Sequence, residues 1–446
     1  MISVEVLQGI LGVTAGLPVL SLTLLTAGIV SVPNIAERRV HQMLAIGLSL
    51  GFLTASFLFL GLLFGLFEPF SVDLGRVLSV GSYHFDILFH LDLLGAMFLW
   101  LTMALVGLVG AFSLNYLHQD EGFFRFYWLL LAFVIGLETV ALGEGLDLIF
   151  VGWELLGISS ALLIAFFIRR PEPVENGLRA FAVYRFTDVG LLGGIVTLHH
   201  FAHTSSIAAL GQVSATAALW VGGLLIFGAM GKGAIVPFTS WLPRAMEGPT
   251  PSSAIFYGAL SIHASPFLLL RTAPVFEHHL PLQIAVFVLG LITALHASMV
   301  GRVQTDIKTS LAYAAVAQVG IMWMWIGLGL YQVAIVHLFG HSILRTWQLL
   351  RAPSLLHERH QLLVALGADI QPTGRHLERL FPEAVQRVGY RVALERWYLD
   401  EMWAGVVGGV LGVLRSIDGL DQRWACLLGG GRPVEPAGHG SEGANQ

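Results

Sequence analysis

Cysteine is nearly missing from this chain: among 446 residues there is one, Cys426. A single thiol excludes a disulfide framework, a cysteine zinc site and a cysteine-ligated iron–sulfur cluster. Lysine is almost as scarce, since only Lys232 and Lys308 contribute to the 24 basic residues. Charge of either sign is thin, at 12% of residues, where an ordinary soluble protein carries about 25%. No tandem repeat is visible, and none of the glycine-rich stretches follows a strand in a nucleotide-binding pattern. The "LHERH" at 356–360 has one residue between its glutamate and second histidine, so it is not the H-E-x-x-H zinc motif. The net charge of −5 says little about partners; its distribution says more.

What the chain does have is apolar sequence. Hydrophobic residues make up 55% of it, and a spanning helix needs about 20 mostly apolar residues in a row. Runs approaching that length lie at 7–32, 43–68, 88–115, 126–142, 147–168, 178–199, 216–236, 252–274, 281–300, 309–330 and 332–352, with a weaker candidate at 402–417. The predicted fold class is all-α, a polytopic helical membrane protein of about 11–13 transmembrane helices. The first run lacks a basic leader and a small-residue cleavage site, so it reads as a retained helix rather than a signal peptide.

Arginine is asymmetric across the predicted loops. With the first helix entering from outside, one side collects Arg38, Arg39, Arg125, Arg169, Arg170, Arg179, Arg244, Arg302 and Lys308, while the other carries Arg76 and Arg271. The positive-inside rule then makes the N-terminus extracytoplasmic in a bacterial inner membrane. Composition divides the chain into a transmembrane domain (1–352), a cytoplasmic arginine-rich segment suited to docking a partner (353–400), a membrane or interfacial helix (401–430) and a Gly/Pro-rich tail expected to be disordered (431–446). Membrane lipid is an expected partner; nucleic acid is not.

Ionisable residues inside apolar runs are functional candidates, because each is costly to insert. Glu154 sits mid-run in "LIFVGWELLGISSALLIAFF"; it is either a functional acid or half of a structural ion pair. Arg185 and Asp188 are three apart on one helical face and can neutralise each other. Lys232 stands five residues before Pro237, and proline removes a backbone donor and clashes with the preceding turn. A broken helix is therefore predicted near 232–243, a feature tolerated in membranes where it lines a cavity or is buried in protein. A lysine beside such a break, with a carboxylate near, can change its charge, which makes Lys232 a candidate proton relay. His337 and His341 lie four apart, with Arg345 one turn on, as a polar stripe. A metal site would need further ligands, and haem would need histidines on facing helices, His90 or His263 being available. A chain of protonatable groups suits histidine's titration near neutrality.

Several motifs occur here in order: "FVGWELLGISSALLIAFF", "AFAVYRFTDVGLL", "GKGAIVPFTSWLPRAMEGPTPSSA", "QTDIKTSLAYAAVAQVGIM" and "AIVHLFGHSILRT". "FHLDLLGAMFLWL" and "YLHQDEGFFRFY" lie upstream of them, and "RWYLDEMWAGV" downstream. Together they resemble the antiporter-like, proton-conducting membrane subunits of respiratory complex I and of Mrp cation/proton antiporters. The resemblance implies that Glu154 and Lys232 form the input pair of a half-channel, that Arg185 and Asp188 accompany them, and that Lys308, His337 and His341 continue the path. It also implies five-helix units repeated in inverted orientation, each with one broken helix. This chain departs from the pattern in three ways. No second broken helix with its own lysine or glutamate follows residue 352, no long lateral helix is present, and Tyr257 stands where the family usually has histidine, with His263 nearby.

These departures, with "LLRAPSLLHERHQLLVALG", look more like one branch, the DabB-type membrane subunit of DAB inorganic-carbon transporters. That branch implies a large peripheral DabA-like zinc protein on the cytoplasmic side, in which ion flow drives hydration of carbon dioxide to bicarbonate. The zinc is expected in the partner, and no cofactor in this chain. Two rivals stand beside it: an antiporter-like subunit of a complex I, membrane hydrogenase or Mrp complex, and a structural membrane anchor with relic channel residues.

Overall fold

The computed structural model describes residues 3–31, 36–81, 83–366 and 381–429. Contacts divide the chain into two units, Met1–Leu394 and Glu395–Gln446. The first unit begins with α1 (Val4–Ser31) packed on α2 (Glu37–Leu63). Both expose Val, Leu and Ile side chains along their outer faces, as helices bathed in lipid do.

After α2 the chain forms an antiparallel hairpin, β1 (Phe70–Val80) and β2 (Tyr83–Leu91), in register from Phe70↔Leu91 to Val80↔Tyr83, with irregularities around Arg76. The mostly helical expectation holds, but this hairpin corrects it locally. Residues 88–91, assigned above to a membrane span, belong to β2. An aromatic and β-branched run fits a pleated surface, and at such short length apolar strand and apolar helix cannot be told apart by pattern. Helix α3 (Leu93–Tyr116) starts behind Asp92, whose side chain accepts from the Gly95 amide at 2.8 Å. Asp92 also receives Arg271 Nη1 at 2.6 Å. Asp92→Ala should cost about 1 kcal/mol for the lost cap and leave Arg271, which is 7% exposed, without its carboxylate. The expected result is a lower melting temperature in detergent than for Asp92→Asn, which retains a capping oxygen.

Helices α4 (Phe123–Leu142) and α5 (Leu146–Ile164) touch at Gly136 and Gly152. A Cβ on Gly152 would stand 2.6 Å from the Gly136 carbonyl oxygen, so only glycine allows this approach, a common device for packing helices in membranes. Helix α6 (Pro171–Ala202) opens with proline in its first turn, where the missing N–H costs nothing. It packs on α7 (Ala215–Lys232), capped by the Ser214 hydroxyl. Beyond α7 the helix breaks. The short α8 (Trp241–Arg244) and α9 (Thr250–Ser252) follow, and α9 runs through a π-helical stretch, Ser253–Leu260, into α10 (Ser261–Arg271). This stretch from Thr250 to Arg271 is buried throughout and forms the axis of the bundle.

Helices α11 (Leu280–Arg302), α12 (Ile307–Gly327) and α13 (Tyr331–Leu366) close the bundle, and α14 (Glu383–Leu394) packs against α11. The large buried rings Trp153, Trp241, Trp323, Tyr184 and Tyr257 line the interior between α5 and α12. Among the described residues, eleven helices are long and apolar enough to cross a membrane. Helix α13 is not among them, because Gln332, His337, His341, Arg345 and Gln348 dilute its apolar residues. It runs unbroken across residue 352. The second unit holds a 3-10 turn at Arg396–Tyr398 and α15 (Leu399–Gly429). Residues 367–380 and 430–446, which include part of the expected docking segment and the expected tail, lie outside the described residues.

Candidate functional site

The break after α7 is made by specific residues. Ala234 takes a left-handed φ of 50°, a conformation costly for a residue with a Cβ and incompatible with continuing the helix. The backbone groups this frees are satisfied inside the protein. The Val236 amide donates to Thr293 Oγ1 at 3.0 Å, and Trp241 Nε1 donates to the Gly231 carbonyl at 2.9 Å. Thr239 and His296 Nε2 lie 3.1 Å apart, within hydrogen-bonding distance. Irregular backbone at membrane depth requires such internal partners.

Lys232, the last residue of α7, is fully buried. Its Nζ lies 3.5 Å from Asp188 Oδ2 and faces two aromatic rings, 4.6 Å from the Trp153 centroid and 4.7 Å from that of Tyr184. Asp188 is held from both sides: Trp153 Nε1 donates to Oδ1 at 2.6 Å, and Arg185 Nη2 donates to Oδ2 at 2.9 Å. Arg185 in turn pairs through Nη1 with Glu154. Four charges thus form one line, Glu154–Arg185–Asp188–Lys232, alternating in sign. Side-chain exposure is 20% and 34% at Glu154 and Arg185, but 3% and 0% at Asp188 and Lys232. One end of the line therefore reaches the surface of the chain, and the other is sealed.

This arrangement corrects one sequence expectation. Glu154 does not face Lys232; Arg185 and Asp188 stand between them. The intrahelical pair, which could have been self-neutralising and inert, is the bridge. Spacing placed Arg185 and Asp188 on one face of α6, but only the packing of α5 and α7 on either side turned that pair into a connection. Gly157 gives the line its room: a Cβ there would stand 3.1 Å from Lys232 Nζ and 3.4 Å from Arg185 Nη2.

A second cluster lies where α10 meets α13. His263 Nε2 and His341 Nδ1 are 2.9 Å apart, and His341 Nε2 meets Arg345 Nη2 at 3.3 Å. The other ring nitrogen of His263, Nδ1, donates to the Ala259 carbonyl. His337 turns instead towards α12, with Nε2 2.9 Å from Gln318 Oε1, and its ring centroid stands 6.0 Å from that of His341. Residues of α10 separate the two clusters: Gly233, next to Lys232, lies against Ser265, which accepts from Trp323 Nε1 at 3.1 Å. His263 is two residues from Ser265. Lys308 stands apart from both, half-buried in the first turn of α12 behind the Asp306 cap. Tyr257, at the position where histidine was expected from the resemblance, donates to the Ser160 carbonyl.

Sequence reasoning missed Trp153, Tyr184, Gln318 and Glu138. Trp153 adjoins Glu154 and was visible in the motif, but an aromatic in an apolar helix reads as core filling. Glu138 on α4 is 3% exposed and its Oε1 is buried without a partner; an acid inside an apolar run was the available signal.

Comparison with known proteins identifies the family. A family profile described as "NADH:quinone oxidoreductase/Mrp antiporter, TM" matches residues 144–367, and one described as "NADH-Ubiquinone oxidoreductase (complex I), chain 5 N-terminus" matches residues 77–127. "NADH-quinone oxidoreductase subunit L" of Neisseria meningitidis serogroup A is 30% identical over 344 residues, covering 73% of this chain and 51% of the relative. "NADH-ubiquinone oxidoreductase chain 5" of Cryptococcus neoformans is 33% identical over 273 residues, covering 60% and 41%. The chain spans about half the length of the curated relatives it matches. In fold it resembles a chain of the Mrp complex from Dietzia, with a TM-score of 0.67 at 23% identity over 77% of this chain and 37% of that one. It also resembles a chain of the archaeal membrane-bound sulfane sulfur reductase, with a TM-score of 0.67 at 18% identity over 75% and 69%. These relatives overturn the inorganic-carbon branch. Their names are those of quinone oxidoreductase subunits, and the reason to expect a zinc-bearing hydration partner falls with that branch. The residues behind it, Tyr257 and the stretch 349–367, were few, whereas the matching profile spans residues 144–367 as a whole. A profile matching half of the chain, together with such relatives, places this multi-pass membrane protein in the NADH:quinone oxidoreductase/Mrp antiporter membrane-subunit family.

Proposed function

We propose that this chain is a proton-conducting, antiporter-like subunit of a complex I-type membrane oxidoreductase, set in a bacterial cytoplasmic membrane with its N-terminus outside. The observation that carries the reading is the unbroken line Glu154–Arg185–Asp188–Lys232 ending at a helix break. Arg185 touches both carboxylates, so a small shift of its fork towards Glu154 or Asp188 changes how much negative charge faces the lysine. Lys232 holds its proton while Asp188 faces it and passes it on when that charge is withdrawn. The histidines behind α10 then take the proton onwards, and the aromatic walls exclude water from the switching group. Titrating side chains suffice for this chemistry, so no cofactor is assigned to this chain. The redox groups belong to other subunits, and the arginine-rich segment 353–400 serves as a docking element for them.

The relatives above 30% identity carry complex I names, which favours an oxidoreductase over a free-standing antiporter. The test is to purify the complex that contains this chain, reconstitute it in liposomes, and follow internal acidification with a pH-sensitive dye. Lys232→Ala should leave assembly intact and remove proton uptake. Uptake at the wild-type rate in that variant would overturn the reading.

A further inference from the structure

Away from the charge line, a groove of about 430 Å³ runs between α2 and α3. One wall is made by α2 from His41 to Leu53, the other by α3 from Met103 to Ala111. The buried Tyr127 of α4 lies at its base, where its hydroxyl donates to the Gly110 carbonyl at 2.8 Å. The two walls touch each other: a Cβ on Gly110 would stand 3.6 Å from Leu48 Cδ1, and one on Gly51 would stand 3.1 Å from Met103 Sδ. Gly107 leaves room between these contacts, since a Cβ there would meet nothing within 4 Å.

Both walls are among the helices long and apolar enough to cross a membrane. Helix α2 has 27 residues and is therefore roughly 40 Å long, more than a hydrocarbon core of about 30 Å. Its far end, "FLFLGLL", is wholly apolar, so the charged first turn is the end that extends into the headgroup layer. Arg38 stands there, exposed, one turn before His41 on the face that continues as Ala45 and Phe52. Glu37, beside it in sequence, is taken by His118 Nδ1 at 2.7 Å and by the Gln119 amide at 3.1 Å. From His41 to Leu53 the groove runs roughly 18 Å, close to the depth of about 15 Å that one leaflet's acyl chains fill. A helix of that length, about 10 Å across, occupies roughly 1,400 Å³ and is too thick to enter. The stretches 367–380 and 430–446 of this chain are polar and glycine-rich and hold no apolar run to fill it. A single acyl chain beneath a phosphate matches the groove in length, width and charge.

We propose that the α2–α3 groove binds one phospholipid, with an acyl chain laid along the apolar walls and the phosphate held at its mouth by Arg38. The guanidinium donates two N–H groups to the phosphate oxygens, the paired geometry for which arginine is suited. Bound in this way the lipid wedges α2 and α3 against α4. The site shares no residue with the line from Glu154 to Lys232, so it stands or falls apart from proton conduction, which the Lys232→Ala measurement tests.

The experiment takes the purified complex in dodecyl maltoside and adds phosphatidylglycerol carrying a photoreactive diazirine midway along one acyl chain. A diacylglycerol with the same chain is the comparison without phosphate, and labelled peptides are sequenced by mass spectrometry after illumination. Phosphatidylglycerol should label residues 41–53 and 103–111 at least about tenfold more than the α6 segment around Val196, which is 61% exposed and reports unspecific contact. Diacylglycerol should lose about that factor, the worth of a hydrogen bond to a charged group. This comparison needs no substitution and so does not depend on a variant folding. Gly107→Leu fills the groove from a position with room for a Cβ and favours the helix, so it should remove the groove label while the complex still assembles. Arg38→Gln should bring phosphatidylglycerol down to the diacylglycerol level, and Arg38→Lys should keep most of the label. Equal labelling of the groove and the Val196 segment would overturn the proposal, as would equal labelling by the two probes or an unchanged yield in Gly107→Leu. A groove left unlabelled, because another subunit's helix or a quinone tail covers it in the complex, would overturn it too.

Discussion

Lys232→Arg is expected to assemble normally and to lose proton uptake, although it keeps the positive charge. Arginine does not deprotonate in proteins, so a fixed cation would replace the switching group while the contact with Asp188 and the stacking on Trp153 and Tyr184 could still form. The expected fall in rate is about a hundredfold or more, within the range that a lost proton-transfer group commands. Size is the competing explanation, since Lys232 is fully buried and Gly157 leaves little spare room beside it. Lys232→Met, of similar volume and uncharged, serves as the comparison. If both variants assemble and neither transports, proton exchange at this position is required. If Lys232→Arg transports at the wild-type rate, the lysine is only a structural cation.

Asp188→Asn is expected to damage both stability and transport, and a second substitution should separate the two. Among the described residues Asp188 is the one carboxylate paired with Lys232, and it is shared with Arg185 and Trp153. Removing its charge leaves a buried ammonium without its counter-ion, a loss of about 3–5 kcal/mol in comparable buried pairs. Replacing a whole buried pair by apolar groups is often neutral. The double variant Asp188→Asn with Lys232→Met should therefore recover thermal stability, measured as the detergent melting temperature of the complex, without recovering transport. Recovery of transport in the double variant would show that the pair is structural and that protons travel elsewhere.

Much of this was legible in the chain because the membrane imposes simple rules. Long apolar runs must be helices, since every backbone group has to be satisfied internally, and eleven helices long and apolar enough to cross are present among the described residues. Ionisable residues are so costly in those runs that Glu154, Asp188, Lys232 and the α13 histidines identified themselves, and Pro237 announced the break. The hairpin at 70–91 was hidden because a short apolar run carries no period that separates strand from helix. The inorganic-carbon branch failed for a different reason: Tyr257 and a few other residues were asked to decide between branches of one family.

The sequence by itself determined that this protein is a bundle of membrane helices carrying a lysine at a broken helix, because insertion cost and proline geometry act locally and leave their mark in order along the chain. Only the tertiary structure decided which charges meet. Arg185 bridges Glu154 to Asp188, Asp188 rather than Glu154 faces Lys232, and His263 rather than His337 meets His341. These pairings depend on the rotation and depth of neighbouring helices, which are set by contacts such as Gly136 on Gly152. Such contacts join residues far apart in sequence, and helical spacing alone carries no record of which face will meet which.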